Sequence, residues 1–312
     1  MRPLRISPPT YAQVTLAALW LLIFIVVTGA AVRLTGSGLG CSEWPGCEPG
    51  SLTPHRATDY HPMVEFVNRL ITGLVSAAVA LAVLGAYKRV PYRRDLVWLA
   101  LGLVAGVVAQ IVLGAIVVKT ELNPVLVQGH FVVSMALVAD AVVLHHRAGR
   151  PEGPRRPVVT ATVRRWTTVA LALAAVVILT GTVVTGSGPH AGDEEAKRLP
   201  FTVAATARVH GLALIAFLLV VVAIVVRLRR EDAPAAVFRR AQELLTVLVL
   251  QAAVGYTQYF TGVPALLVAL HVLGASLVWV SVLRFTLELT APVDVAEPLP
   301  DAAAPVPAGS TG

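Results

Sequence analysis

The sequence contains little charge. Only 14% of its 312 residues are Asp, Glu, Lys or Arg, whereas a soluble globular domain carries about a quarter. Hydrophobic residues make up 56% of the chain, so the composition argues against an ordinary soluble domain and indicates a protein of the lipid bilayer. Cysteine is also scarce, with two residues. Their spacing excludes a C-x-x-C-H covalent haem site, and the chain has no four-ligand zinc set.

Long apolar runs dominate the rest of the sequence. They lie near residues 12–32, 66–86, 96–118, 125–145, 167–186, 204–226, 243–260 and 264–286. Each run is long enough to cross a hydrocarbon core of about 30 Å, so the sequence predicts eight transmembrane helices. The first run follows Arg2 and Arg5, but it is longer than a typical signal-peptide core. We therefore expect it to be an uncleaved helix.

The positive charge follows the loops between these runs. The net charge is +7, and most of the 25 Lys and Arg residues fall on the side that holds the N-terminus. The positive-inside rule then predicts cytoplasmic N- and C-termini for a multi-pass protein of the cell membrane. This topology accounts for the positive net charge, so a nucleic-acid partner is not needed to explain it. The Pro- and Ala-rich segment 291–312 is predicted to be a disordered cytoplasmic tail.

The chain also repeats itself internally. "QIVLG" at Gln110 and "QAAVG" at Gln251 each precede a histidine, His130 or His271, by 20 residues. Similarly, "EFVNRL" aligns with "ARVHGL", and "VVTGAAV" aligns with "ILTGTVV". These matches predict two four-helix halves, residues 1–150 and 151–290. Because four is an even number, the halves insert with the same orientation. They are therefore expected to be related by an axis along the membrane normal, unlike inverted-repeat transporters.

Four polar residues lie at one depth on the even-numbered helices. They are Asn68, His130, His210 and His271, each roughly 6–12 Å below the outer helix end. A lone histidine in a helix is usually a hydrogen-bonded packing residue, but polar groups that recur at one level in lipid face the bundle interior and indicate function. Two imidazoles from facing helices are the axial ligands of a six-coordinate haem. Small residues near His210 and His271 either leave room for a flat macrocycle or serve close helix packing: Ala207, Gly211, Gly274 and Ala275.

Glu65 makes the two halves chemically different. It lies one turn from Asn68 near the outer membrane boundary, and its counterpart in the second half is Ala207. It is either a boundary carboxylate that pairs with a neighbour such as Arg69 or a carboxylate beside a reactive centre. The half with two histidines and no acid suits a held cofactor, whereas the half with Glu65 suits a site of reaction.

The first outer loop, "GLGCSEWPGCEPG", contains both cysteines. Cys41 and Cys47 face the oxidising side with five residues between them, so a disulfide is expected. The spacing leaves open whether this bond is a loop staple or exchanges electrons. His55, His61 and His190 also lie outside and are interpreted as solvated loop residues, and Asp140, His145 and His146 as residues of the inner boundary.

Taken together, the motifs resemble the haem A synthase family from near the N-terminus to about residue 286. They include "VVTGAAVRLTGSGLGC…WPGC", "EFVNRL", "HFVVSMAL", "VVTGSGPHAGD", "RVHG" and "ALHVLGA". The resemblance implies oxidation of the C8 methyl of haem O to a formyl group, which gives the haem A used by cytochrome oxidases. It implies a b-type haem on His210 and His271, a substrate haem site at His130 and Asn68, Glu65 as the catalytic carboxylate, and Cys41–Cys47 as the outer-loop pair.

One position departs from this family. Many members have a histidine where this chain has Asn68, and asparagine is a poor iron ligand. The departure puts bis-histidine binding of the substrate haem in doubt without removing the reaction. The partners implied are haem O, haem O synthase, an electron donor and membrane lipid, with a homo-oligomer left open.

An alternative function is a di-haem, quinol-linked electron-transfer subunit with no chemistry of its own. Such a protein predicts two equivalent haem sites. The asymmetry at Glu65 and Asn68 argues against that equivalence.

Overall fold

The computed structural model describes residues 5–56 and 58–293. Within these residues the chain forms eight helices and two short strands. In chain order they are α1 (Pro8–Leu34), α2 (Tyr60–Lys88), α3 (Arg94–Lys119), α4 (Pro124–Ala148), β1 (Arg155–Pro157), α5 (Ala161–Ser187), α6 (Val203–Arg230), α7 (Ala235–Phe260), α8 (Ala265–Glu288) and β2 (Thr290–Pro292). The predicted eight-helix protein is confirmed, and each apolar run coincides with one helix.

Most helices begin before the apolar run that predicted them, and polar side-chain caps fix the first turns of four of them, α1, α4, α5 and α6. The side chains of Ser7, Thr160 and Thr202 accept hydrogen bonds from the backbone N–H three residues later, and Asn123 accepts one from Val125. Such caps satisfy N–H groups that have no partner within the helix. Hydropathy alone cannot detect these turns, since they lie outside the apolar runs.

Seven of the eight helices in the described residues are long and apolar enough to cross a membrane. The exception is α7, whose first turns carry Arg239, Arg240 and Glu243 and whose apolar part is interrupted by Gln251 and Gln258. The predicted eight spans are therefore confirmed for seven helices. The α7 helix is nonetheless 26 residues long and packs against α6 and α8. The chain is a multi-pass membrane protein.

The helices form two groups of four. Helices α1 and α3 each contact α2 and α4, and in the same way α5 and α7 each contact α6 and α8. The groups meet through α1, α4, α5 and α8. Trp279 on α8 packs against the apolar cores of both groups and donates a hydrogen bond from Nε1 to Met135 O on α4 at 2.9 Å. The symmetry axis between the halves stays a prediction.

Hydrogen bonds to backbone atoms also join the halves, at the loops that follow α1 and α5. Arg33, in the last turn of α1, donates from Nη2 to Thr185 O at 2.6 Å and from Nε to His190 O. Gly38 N donates to Gly192 O at 2.8 Å. An arginine that satisfies two backbone carbonyls fixes their loop in place. The loop between α5 and α6 is thus anchored to the first half.

A short antiparallel sheet joins the halves at the other end of the helices. Strand β1, between α4 and α5, pairs with β2, which follows α8. Arg150 also forms an ion pair with Glu288 at 2.8 Å. The first residues of the segment predicted to be a disordered tail, Ala291 and Pro292, therefore belong to a strand. The remainder of that prediction, from residue 294 onwards, lies outside the described residues.

Candidate functional site

The two histidines of the second half face each other. His210 projects from α6 and His271 from α8, and their ring centroids lie 6.3 Å apart with the ring planes at 71°. Metal–nitrogen bonds of about 2.0 Å on both sides of one iron would place two axial imidazole centroids roughly 6 Å apart. The spacing therefore fits a single iron between the rings.

Each ring is held through its Nδ1 atom. His210 Nδ1 lies 3.0 Å from Val177 O and 3.2 Å from Thr180 Oγ1, and His271 Nδ1 lies 3.0 Å from the side-chain amide of Gln251. Within the described residues, neither Nε2 atom makes a hydrogen bond. Histidines that ligate metals usually donate the N–H of the other ring nitrogen to an acceptor, and the Val177 carbonyl beside His210 is such an acceptor. This leaves Nε2 of His210 for an axial ligand role. Gln251 presents its amide nitrogen, a donor, to His271 Nδ1, and turning that amide to present its oxygen gives Nε2 of His271 the same role.

Two glycines that were not predicted from the sequence lie against these rings and leave room for them. A methyl group at Gly255 on α7 would lie 2.8 Å from His271 Cε1, and one at Gly181 on α5 would lie 3.1 Å from His210 Cε1. Gly274, for which the sequence left open room for a macrocycle or close helix packing, packs closely against the side chain of Gln251. Gly211 borders open space. The available signal was the repeat itself, because the aligned segments "VVTGAAV" and "ILTGTVV" share their glycine.

The first half repeats these contacts with one substitution. Thr28 Oγ1 donates to Asn68 Oδ1 at 2.9 Å, as Thr180 lies beside His210 in the second half. Asn68 therefore occupies the position in its bundle that His210 occupies in the other. The alignment of the two residues, inferred from sequence, agrees with their contacts.

His130 is less firmly held than its counterpart His271. Gln110 Nε2 donates to the backbone oxygen of His130 at 3.1 Å, as Gln251 does to that of His271 at 2.8 Å. His130 Nδ1 and Gln110 Oε1, however, are both buried without a hydrogen-bond partner in the described part of the chain. Buried polar groups are seldom left unpaired, so this side of the bundle fits a bound polar group or a rearranged amide.

A cavity of about 450 Å³ opens beside Asn68, between α1 and α2. Its walls are mostly apolar. The lining residues are Thr28, Ala31, Val32, Thr58, Tyr60, Met63, Val64, Val67, Asn68 and Ile71. Asn68 therefore borders open space on this side, whereas His210 faces another imidazole.

Glu65 is buried in the second turn of α2, with 6% of its surface exposed. Its Oε1 atom accepts a hydrogen bond from Arg69 Nη2 at 2.5 Å, and its Oε2 atom accepts one from the backbone N–H of Cys41 at 2.8 Å. The pairing with Arg69, one of the two alternatives raised by the sequence, is present. Both carboxylate oxygens are therefore held in position by hydrogen-bond donors.

The cysteine loop surrounds this ion pair. Cys41 and Cys47 form a disulfide, and Arg69 Nη1 donates to the backbone oxygens of Glu43 and Gly46 inside the closed loop, at 3.1 and 2.5 Å. The loop thus contacts Glu65 through a backbone amide and Arg69 through backbone carbonyls. Sequence spacing predicted the disulfide but not these contacts.

The remaining histidines lie apart from this arrangement. Nδ1 of His61 lies 3.0 Å from Ser37 Oγ, His55 pairs with Glu48, and Nε2 of His190 lies 2.9 Å from Val263 O. At the inner end of α4, His145 Nδ1 lies 3.2 Å from Ala12 O. No group of three or more His, Cys, Asp or Glu side chains suited to a metal ion occurs among the residues described.

The sequence is also similar to known proteins. The sequence matches the family model described as cytochrome oxidase assembly protein (COX15-CtaA) over residues 12–283. Proteins named heme A synthase are similar to parts of the chain. The one from Lysinibacillus sphaericus is 31% identical over 124 residues, which cover 39% of this chain and 40% of that protein.

Two further relatives show the same extent of similarity. The heme A synthase of Bacillus licheniformis is 29% identical over 124 residues, or 39% of this chain and 40% of that protein. The heme A synthase of Listeria welshimeri is 34% identical over 123 residues, or 38% of this chain and 39% of that protein. The matched region spans less than half the length of each relative.

Proposed function

Because the chain belongs to the cytochrome oxidase assembly protein family, we propose that it is a haem A synthase, an oxidoreductase that converts haem O to haem A. The reaction oxidises the C8 methyl of haem O to a formyl group by successive hydroxylations. The observation that carries the proposal is the family match across residues 12–283. The imidazole pair in one half and the buried carboxylate in the other support it.

His210 and His271 would hold a b-type haem in the second half. The 6.3 Å separation of their ring centroids and the small residues Gly181 and Gly255 fit such a group. When bound, this haem supplies one-electron transfer at a potential that its axial ligands set. Val177, Thr180 and Gln251 would orient the two rings through Nδ1.

The substrate would bind in the first half, with His130 as its protein ligand. This assignment rests on the matching positions of His130 and His271. In the described residues, His130 Nδ1 and Gln110 Oε1 lack the partner that Gln251 provides to His271, so the ring of His130 is free to adjust to a bound substrate. Asn68 replaces the second imidazole. A substrate held by one protein ligand can enter and leave more readily than a cofactor held by two.

Glu65 would act on the substrate methyl. Its carboxylate is held in place by Arg69 and by the Cys41 N–H, so in the ionised form it is oriented to stabilise positive charge that develops at the carbon being oxidised. It could equally accept a proton from the hydroxylated intermediate. Both roles need the negative charge, and Ala207, its counterpart in the second half, cannot supply it.

The proposal includes a location and partners. The charge distribution supports a multi-pass protein of the plasma membrane with both termini in the cytoplasm. Haem O synthase would deliver the substrate. Each hydroxylation would take one oxygen atom from an oxidant of the dioxygen class, and a separate donor would supply the two electrons that, with two protons, reduce the other atom to water. The cysteine loop then lies on the outer side, where a disulfide is stable.

The rival proposal is a di-haem electron-transfer subunit. It requires two equivalent haem sites, whereas this chain has the pair His210 and His271 in one half and the pair Asn68 and His130 in the other. Within the described residues, the ion pair between Glu65 and Arg69 has no equivalent in the second half, where Ala207 stands at the position of Glu65. These differences favour the enzyme.

Haem analysis of the purified protein tests the enzyme proposal. Protein from cells that make haem O should contain haem A or partly oxidised haem O in addition to protohaem. Protein from cells without haem O should contain protohaem alone. Extraction that recovers only protohaem from both preparations would support the electron-transfer subunit instead.

Removing the disulfide is expected to lower turnover as well as stability. In a variant with both Cys41→Ser and Cys47→Ser, closing the loop no longer contributes about 2 kcal/mol to folding. The loop would also release Glu65 and Arg69, and such misplacement lowers turnover by roughly 10- to 100-fold. Haem A formed per folded molecule, with folding checked by the b-type spectrum, measures the effect.

Arg69→Lys distinguishes this clamping role from a redox role of the cysteines. The variant keeps the disulfide but cannot reach Glu43 O, Gly46 O and Glu65 together, so it should lose turnover to a similar degree. Normal turnover in Arg69→Lys together with an inactive cysteine variant would favour electron exchange. His55→Ala, which changes the same loop away from the ion pair, is the control.

Adding a methyl group at Gly255 should displace His271. Because the new carbon would lie 2.8 Å from His271 Cε1, Gly255→Ala should weaken haem retention in the second half about tenfold. The rate of haem transfer to an acceptor protein measures retention. Gly211→Ala adds the same carbon to open space beside His210 and should retain haem normally. Equal retention in both variants would argue against His271 as a ligand.

A further inference from the structure

The two halves of this chain present different groups at equivalent positions. In the second half, His210 contacts Thr180 and faces His271 with 6.3 Å between ring centroids. In the first half the equivalent contact joins Thr28 to Asn68 at 2.9 Å. The comparison is internal to one molecule, so the same fold provides both the two-imidazole site and the site with one imidazole replaced.

An asparagine cannot take over the role of the imidazole it replaces. Haem iron in proteins is held by histidine, cysteinate, methionine or tyrosinate, whereas a carboxamide is a weak ligand. The Oδ1 atom of Asn68 is moreover occupied by the Thr28 hydroxyl. With that oxygen accepting a hydrogen bond, the amide N–H groups remain as donors.

Open space borders Asn68 on the side that faces α1. The cavity of about 450 Å³ that Asn68 lines is far larger than one water molecule, which occupies about 30 Å³ in the liquid. Thr28 and Asn68 supply polar groups at its wall, and Val64, Val67 and Ile71 make much of the remainder apolar. An apolar pocket with one or two hydrogen-bond donors is the environment in which a haem retains a small bound ligand.

We infer that the first-half site leaves one axial position of the substrate iron open at Asn68 and admits there a small exogenous ligand of the dioxygen class. Asn68 is a positioning residue for that ligand, because its amide N–H groups would donate to the ligand atoms. The inference rests on the proposed function, since it requires that haem O binds on His130.

Carbon monoxide tests the open position directly. The probe binds ferrous haem that lacks a sixth ligand and is excluded by two strong axial imidazoles. In reduced protein loaded with both haems, about half of the bound haem should form the carbon monoxide adduct. Asn68→His should remove this adduct, because the new imidazole completes the ligand pair as His210 does in the second half.

A reciprocal variant is the matched control. His210→Asn in the second half should open that site as well, so that nearly all of the bound haem forms the adduct. A third variant tests the donor role: Asn68→Val keeps the position open, but in the oxidised protein it should weaken cyanide binding about tenfold, because the hydrogen bond to the ligand is lost.

The results separate this inference from the function on which it rests. If extraction finds haem O on the protein and carbon monoxide forms no adduct, the substrate iron is closed by another ligand and the inference is wrong, although the enzyme proposal stands. An adduct that persists unchanged in Asn68→His also overturns it. If extraction finds no haem O at all, the proposed function fails, and the inference fails with it.

Discussion

Glu65→Gln is expected to lower haem A formation by at least about 100-fold, with haem O or a partly oxidised intermediate left on the protein. Glutamine has the shape of glutamate and can still accept the hydrogen bond from the Cys41 N–H, so the variant removes mainly the negative charge. The b-type haem should remain, because His210 and His271 lie in the other half. Chromatography of extracted haems gives the product composition and the cofactor content together.

A second carboxylate in the same region provides the control. Glu43 lies in the cysteine loop and contacts Arg69 through its backbone oxygen, which Glu43→Gln leaves unchanged. That variant should make haem A normally. If Glu65→Gln also yields normal haem A, Glu65 is only the structural partner of Arg69, and the catalytic assignment is wrong.

Removing either imidazole of the second half is expected to abolish the low-spin b-type spectrum. His210→Ala and His271→Ala each leave at most one of the two protein ligands, and one imidazole cannot maintain a six-coordinate low-spin iron. The rest of the bundle should still insert, since the apolar core of α5 to α8 does not include either ring. Optical and electron paramagnetic resonance spectra of the purified variants measure the change.

His145→Ala is the matched control for these variants. This histidine also lies in a helix, but it contacts Ala12 O at the inner end of α4, away from the imidazole pair. Its removal should leave the spectrum intact. An unchanged low-spin spectrum in both His210→Ala and His271→Ala would refute the assignment of the cofactor site.

The sequence was sufficient to predict the number of helices and the repeat, because both depend on hydropathy and on spacing along the chain. The equivalence of Asn68 in the first half and His210 in the second half followed from the same alignment. The prediction that α7 spans the membrane is not confirmed, and the cause is physical. The apolar stretch of α7 is short, and Gln251 faces the bundle to contact His271 instead of lying in lipid.

Contacts between distant loops could not be predicted in this way. The bond from the Cys41 N–H to Glu65 joins a backbone atom to a side chain, and a backbone donor leaves no trace in the sequence. Similarly, Arg33 binds backbone carbonyls 152 or more residues away. Gly181 and Gly255 became informative only after the positions of the two imidazoles were known.

The contacts between the halves limit how such proteins can be recombined. In a chimaera that joins the first half of this chain to the second half of a relative, several contacts between the halves would have to form again. The relative's residue at the position of Trp279 would have to bond to Met135 O, and Arg33 would have to bond to two carbonyls of the relative's loop. Strand β2 would have to pair with β1, which lies where the two parts are joined. The crossover point in the loop between α4 and α5, which looks the most permissive in the sequence, would therefore be among the least tolerant.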